Sequence, residues 1–232
     1  MKATEVFSKI GTGNMTRESF YGIISGLVIY GLLATAFAAY LANSSGLIMS
    51  KYMVIGLCII PFIGIFMSVS DNWFISFIGY NIILIPFGVL LGPVLKSYDP
   101  SVVQKVCYLT AGITFAMGLA GTIFPNVFSK MGTALFFSLC CLVFIRILGI
   151  FIPEINHLRV IDWIAAGIFS LYIGYDMYRA SVVACTLDNA VDIAISLYLD
   201  VLNLFLELLK LSKSDDDWFF IHYFLFDYPL VP

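Results

Sequence analysis

The chain has 232 residues, of which 61% are hydrophobic and 12% are charged, and its formal net charge is -3. A soluble domain is roughly 45–50% apolar and about a quarter charged, so this composition excludes an ordinary soluble fold and predicts a protein whose main solvent is lipid. The negative net charge argues against a nucleic-acid partner.

Seven apolar runs follow one another along the chain, each close to the roughly 20 residues that a membrane-spanning helix needs. Short segments with polar or turn residues separate the runs. Continuous apolar runs favour helices over the alternating strands of a membrane barrel. We therefore predict an all-α membrane protein with seven transmembrane helices. The predicted spans are 20–42, 52–70, 73–95, 105–125, 131–152, 159–185 and 189–211.

The spans account for nearly the whole chain, which predicts one transmembrane domain over residues 1–213. Residues 214–232 form an acidic, aromatic tail that is too short to span a membrane. The first span lacks a small-residue cleavage site after it, so we interpret it as a retained helix rather than a signal peptide. Six glycines of the first and fourth spans are expected at close helix contacts, namely Gly22, Gly26, Gly31, Gly112, Gly118 and Gly121. The five cysteines lack metal-ligand spacing, and we expect neither a disulfide framework nor a cofactor.

Ionisable residues at membrane depth are costly, so each is a candidate functional residue. Asp176 lies about twelve residues before the turn that joins the last two spans, and Asp200 lies about twelve residues after it. At ~1.5 Å per residue both are roughly 17–18 Å from that turn. Two helices joined by a short turn are antiparallel, so the two carboxylates are expected at equal depth. The spacing alone leaves the rotation of each helix open.

If they face each other, Asp176 and Asp200 cannot both ionise cheaply, and the pair should share one proton. Carboxylate oxygens are also calcium ligands, so the pair can exchange its proton for a transiently bound Ca²⁺. These properties predict a proton-sensitive gate on a cation path. The alternative is a neutral, hydrogen-bonded pair that only joins two helices.

Three further charged side chains are candidates for a supporting role. Arg179 follows Asp176 by three residues and is a possible counter-ion along the helix. Arg146 is either a second counter-ion of the two aspartates or a side chain that reaches to the opposite membrane interface. Glu207, together with Lys210, is expected at the interface.

The last two spans resemble a known family. Gly174-Tyr175-Asp176-Met177-Tyr178-Arg179 resembles the Tyr-Asp motif in the sixth helix of the Bax inhibitor-1 (transmembrane Bax inhibitor motif) family. The segment from Leu197 to Leu206, which contains Asp200, is similar to the seventh-helix signature of that family. The resemblance covers residues from about 20 to 213.

The resemblance implies a central C-terminal helix surrounded by six others. It also implies a pH-sensitive calcium leak, with Asp176 and Asp200 as sensor and gate. The expected partners are the lipid bilayer, calcium ions and protons. Bacterial members of the family have a basic latch in the second helix, whereas residues from Met53 to Ser70 here carry no basic side chain. Arg146 is a candidate replacement for that latch. The expected location is the cell (inner) membrane for a bacterial source and an endomembrane for a eukaryotic one.

Two other functions remain open from the sequence. One is a non-conducting regulator that binds other membrane proteins. The other is an intramembrane aspartyl protease, which also needs two facing aspartates. The Gly-x-Gly-Asp half of the protease pattern is absent, because Leu197-Tyr198-Leu199 precedes Asp200. We therefore expect that the protein is not an enzyme.

Overall fold

The structure is a computed structural model, and it describes residues 15–46, 49–70, 72–152, 154–155 and 158–212. The predicted tail at 214–232 lies outside the described residues. The described residues form eight α-helices and no strand, which confirms the all-α class. The helices are α1 (Arg17–Ser44), α2 (Lys51–Ser68), α3 (Trp73–Lys96), α4 (Pro100–Ile123), α5 (Pro125–Phe128), α6 (Gly132–Phe151), α7 (Arg159–Val182) and α8 (Leu187–Leu211).

The observed ends of the helices lie within about three residues of the predicted spans, except at the start of α4. The apolar run begins after Lys105, but the helix begins at Pro100. The Asp99 side chain caps it by accepting a hydrogen bond from the Ser101 backbone N–H at 2.8 Å. Proline is also well suited to the first helical position. The backbone N–H of Ser101 holds the pKa of the Asp99 carboxyl below its usual range.

Six helices, α1–α4, α6 and α7, are long and apolar enough to cross a membrane. Their outer faces expose large apolar side chains, among them Phe37, Phe66, Phe115 and Phe144. Exposed apolar surface on this scale suits lipid as the surrounding medium. The protein is therefore a multi-pass membrane protein.

The seventh long helix, α8, is not among the six candidate spans found in the described part of the chain. Its 25 residues include four acidic side chains. All 25 of its residues are buried or partly buried, in contrast to the exposed apolar side chains of the six candidate spans.

Contacts within the chain define two compact units. Of the described residues, those up to Ser97 and from Val182 to Tyr198 form the first unit, and those from Tyr98 to Ser181 and after Tyr198 form the second. Helix α8 passes from the first unit to the second between Tyr198 and Leu199. The single domain over residues 1–213 stays a prediction.

In the first unit, glycines bring the helices close together. A Cβ added to Gly64 of α2 would lie 2.5 Å from the carbonyl oxygen of Gly79 in α3. A Cβ on Gly31 of α1 would collide with the hydroxyl of Tyr80, which itself donates to the Leu27 carbonyl oxygen at 3.1 Å. The backbones approach closely because these positions lack a side chain.

In the second unit, a glycine brings α4 close to the backbone of α7. A Cβ on Gly121 would collide with the carbonyl group of Gly174. The expectation of close packing is thus met at Gly31 and Gly121. It is wrong at Gly22, Gly26 and Gly112, where an added Cβ would meet no described atom within 4 Å, and at Gly118 the contact would be an ordinary one of 3.6 Å.

Candidate functional site

The two aspartates singled out by the sequence lie together in the second unit. Asp176 of α7 is 2% exposed and Asp200 of α8 is 9% exposed. Their carboxyl groups lie close enough to interact directly with each other. Equal spacing from the α7–α8 turn and the rotation of both helices together produce this contact.

A hydrogen bond between two carboxyl groups requires a proton on one of them, because an ionised carboxylate is only an acceptor. Oδ1 of Asp176 accepts from Arg179, while Oδ2 is buried and receives no hydrogen bond from any described N–H or O–H donor. Oδ2 is therefore open to the carboxyl group of Asp200. Tyr172, one turn before Asp176, is close enough to interact electrostatically with both aspartates.

Arg179 is the cation beside this pair. Its Nη1 donates to Asp176 Oδ1 at 3.1 Å, and the side chain is 38% exposed. This is the contact that the three-residue spacing predicts. If the two carboxyl groups share one proton, the guanidinium of Arg179 balances the remaining negative charge.

Close packing holds the residues that precede Asp176. An added Cβ on Gly174 would collide with the ring of Phe128 in α5, and one on Gly132 of α6 would lie 2.6 Å from the Tyr175 hydroxyl. The glycine and tyrosine before Asp176 thus pack against three neighbouring elements, α4, α5 and α6. This packing sets the rotation of α7 and so the direction of the Asp176 side chain.

In the first unit, Tyr198, two residues before Asp200, is held by contacts with two other helices. The Tyr198 hydroxyl is hydrogen-bonded to Thr35 Oγ1 at 2.7 Å, and both side chains are buried. The Tyr198 ring meets the Tyr80 ring edge-on, with 5.4 Å between the centroids. These contacts limit rotation of α8 just before Asp200.

Arg146 forms ion pairs with acidic residues other than Asp176 and Asp200. Its Nη2 lies 2.6 Å from Asp162 Oδ1 and 2.8 Å from Glu207 Oε2. Lys210 Nζ donates to Glu207 Oε1 at 2.8 Å. The Glu207 side chain is buried within the protein, and its predicted depth at the membrane interface stays a prediction.

Sequence reasoning missed Asp162, which is 1% exposed. It lies in the first turn of α7, where the helix dipole ordinarily favours an acidic side chain. The available signal was its spacing of fourteen residues from Asp176, which is close to four helical turns and puts both acids on one face of α7.

Within the described part of the chain, neither the Asp176–Asp200 pair nor the Asp162–Glu207 pair belongs to a larger set of metal-ligating side chains. Across the described residues, no group of three or more His, Cys, Asp or Glu side chains is arranged to hold a metal ion. Each cluster offers two carboxylates, which suits transient binding of a hard cation rather than a permanent metal centre.

Comparison of the sequence with known proteins shows which family it matches. The family described as "Inhibitor of apoptosis-promoting Bax1" matches residues 20–217. An uncharacterized protein of Helicobacter pylori is 29% identical over 184 residues, which are 78% of this chain and 79% of that protein. An uncharacterized membrane protein of Streptococcus pyogenes is 28% identical over 215 residues, 86% of this chain and 94% of the relative. The Golgi anti-apoptotic protein of Vaccinia virus is 33% identical over 123 residues, 53% of this chain and 52% of the viral protein.

Proposed function

The chain belongs to the family of inhibitors of apoptosis-promoting Bax1, and we propose that it is a pH-sensitive calcium leak of its membrane, gated by Asp176 and Asp200. The observation that carries the proposal is the close approach of two buried carboxyl groups on the consecutive helices α7 and α8. Such a contact needs a shared proton, which makes it dependent on pH.

The charge balance explains how a proton can control a cation. With the shared proton in place, Arg179 neutralises the remaining carboxylate charge. Loss of that proton leaves one uncompensated negative charge in a buried position, which is costly unless a cation replaces the proton. Ca²⁺ prefers carboxylate oxygens, so the same pair can bind a permeating ion transiently.

The latch of this gate differs from the one that the family resemblance implied. Arg179 supplies the cation from α7 itself, one turn from Asp176. Arg146 binds a separate pair of acids, which argues against it as the replacement latch. We propose that Arg179 is the cation that sets the pH at which the gate responds.

The test is calcium flux into liposomes at equal pH inside and outside, repeated over a pH series. The parent is compared with Asp176→Asn and Asp200→Asn, which keep the shape of the side chain but cannot lose a proton. We expect both variants to lose the pH response. The matched control is Asp99→Asn, because Asp99 is an aspartate outside the membrane-spanning segments and asparagine caps a helix about as well. Unchanged flux and pH response in both test variants would refute the gate.

A second candidate function is a non-conducting regulator that binds other membrane proteins. The name of the viral relative, a Golgi anti-apoptotic protein, favours this alternative. It predicts that the purified parent gives no calcium flux at any pH and that a specific membrane protein co-purifies with it. The liposome experiment therefore separates the two functions.

We do not propose an enzymatic function. The facing aspartates meet one requirement of an intramembrane protease, but the sequence before Asp200 lacks the second motif of that class. The membrane is also a matter of proposal: the bacterial relatives favour the cell (inner) membrane for a bacterial source, and the viral relative's name favours an endomembrane for a eukaryotic one.

A further inference from the structure

A second pair of buried carboxylates lies on the same two helices as the aspartates of the gate. Asp162 belongs to α7 and Glu207 to α8, and one nitrogen of Arg146 is within hydrogen-bonding distance of both. Arg146 itself comes from α6, so three helices meet at this cluster. A further hydrogen bond joins the start of α7 to the end of α8, because Arg159 Nη2 donates to the Leu211 carbonyl oxygen at 3.3 Å.

The two carboxylate pairs share helix faces. Asp162 and Asp176 are fourteen residues apart on α7, and Asp200 and Glu207 are seven residues apart on α8. At ~3.6 residues per turn these separations are close to four and two whole turns, so each helix presents these two acids on one side. The two pairs therefore follow one seam between α7 and the C-terminal half of α8.

The acids and the bases of the cluster differ in accessibility. The side chains of Asp162 and Glu207 are 1% and 9% exposed, whereas those of Arg146 and Lys210 are 25% and 24% exposed. The flexible basic side chains can withdraw towards the surface, whereas the carboxylates are held inside. Withdrawal would leave carboxylate oxygens from two helices facing one point.

Among the described residues, one oxygen of this cluster has no hydrogen-bond donor. Asp162 Oδ2 is buried and accepts no hydrogen bond from the described residues. A buried carboxylate oxygen without a donor carries an unfavourable free energy, which a bound cation would relieve. Carboxylate oxygens are the ligands that Ca²⁺ and similar hard cations prefer.

We propose that Asp162 and Glu207 form a second, weak divalent-cation site, which Arg146 occupies as a tethered cation when no metal is bound. The site extends the proposed leak, because an ion that follows the α7–α8 seam meets both carboxylate pairs. Its existence does not depend on the leak, since it is defined by binding. With only two protein carboxylates, we expect affinities in roughly the millimolar range.

The test measures calcium binding rather than flux. All variants carry Asp176→Asn and Asp200→Asn, so that binding at the gate is removed and a failure of the leak hypothesis cannot influence the result. Into this background we introduce Arg146→Gln, Arg146→Lys, and Arg146→Gln combined with Asp162→Asn. Binding is followed by equilibrium dialysis with radioactive calcium and by the calcium dependence of the thermal unfolding midpoint in detergent.

We expect Arg146→Gln to bind Ca²⁺ about tenfold or more tightly than the background protein, because the competing charge is gone. Calcium at about tenfold above its dissociation constant should raise the Tm of this variant by roughly 3–6 °C. Arg146→Lys keeps a cation and should resemble the background. Adding Asp162→Asn should remove both the binding and the calcium-dependent shift in Tm.

Two results would overturn the proposed site. One is equal calcium binding by Arg146→Gln with and without Asp162→Asn. Another is an Arg146→Gln variant that is unfolded without calcium and stays unfolded in millimolar calcium, since a genuine site would be restored by the metal. Folding that calcium restores in Arg146→Gln, but not in the double variant, would support the proposal.

Discussion

Arg179 lies one turn after Asp176 on α7 and donates to its carboxylate across 3.1 Å. The cation beside the gate therefore belongs to the same helix as one of the acids. Because the Arg179 side chain is 38% exposed, it can leave Asp176 without a movement of either helix. In the proposed gate, this arrangement would let Arg179 regulate the charge of the two aspartates without joining two helices.

We expect Arg179→Gln to shift the pH response of calcium flux towards higher pH. An adjacent positive charge favours the ionised carboxylate, so its removal lets the pair retain its shared proton at a pH where the parent has lost it. Solvent screening at a partly exposed arginine limits the shift to roughly 1 pH unit or less. The measurement is the liposome flux over a pH series.

Arg179→Lys serves as the control for this shift, because it keeps the positive charge at the same position. Its pH profile should stay near that of the parent. A profile for Arg179→Gln that coincides with the parent's would show that Arg179 does not control the charge of the pair.

The close approach of α4 to α7 gives a prediction about stability. Gly121→Ala should destabilise the protein by roughly 1–3 kcal/mol, because the new methyl group collides with the backbone at Gly174. Gly112→Ala is the matched control on the same helix. No described atom lies within 4 Å of its added Cβ, so the better helix propensity of alanine should leave stability unchanged or raise it by up to about 1 kcal/mol. Denaturant unfolding in detergent measures both, and equal effects would contradict the packing argument.

The buried hydrogen bond between Thr35 and Tyr198 gives a prediction that a double-mutant cycle can test. Thr35→Val leaves the Tyr198 hydroxyl buried without its partner, which should cost roughly 1–3 kcal/mol of the free energy of unfolding. Combining it with Tyr198→Phe removes both groups, so the double variant should lose less stability than the sum of the single variants. Strict additivity would indicate that the hydrogen bond contributes nothing.

The capping aspartate of α4 predicts a dependence of stability on pH. The pKa of Asp99 is lowered in the folded protein by the Ser101 backbone N–H. A group with a lowered folded pKa stabilises the protein above its unfolded pKa of about 3.9 and loses that contribution as the pH falls through the folded value. The stability difference between the parent and Asp99→Ala should therefore be complete at neutral pH and shrink in acid below about pH 4.

Thermal unfolding in detergent, followed from neutral to acidic pH, measures this difference. Asp99→Asn is the control, because it keeps a capping oxygen that does not titrate. Its stability relative to Asp99→Ala should not show the acid-dependent decrease. A difference between the parent and Asp99→Ala that stays constant over the whole pH series would contradict the assignment.

The helices themselves were largely predictable, because a span is encoded locally as a run of apolar residues of a set length. A predicted helix boundary was wrong only where a polar cap extends the helix beyond its apolar run, as Asp99 does for α4. The glycines were less predictable, since Gly121 and Gly112 look alike in the sequence but only Gly121 meets another backbone.

The sequence by itself determined the membrane class, the long helices and the equal depth of Asp176 and Asp200, because hydropathy and the rise per residue are properties of one chain segment at a time. Only the tertiary structure decided which way each helix faces. Packing of Gly174 against Phe128 and α4 directs Asp176 towards Asp200. Because α6, α7 and α8 meet, Arg146 pairs with Asp162 and Glu207 and not with the two aspartates. Pairing between charges depends on helix rotation, and rotation is set by contacts between segments that are distant in sequence.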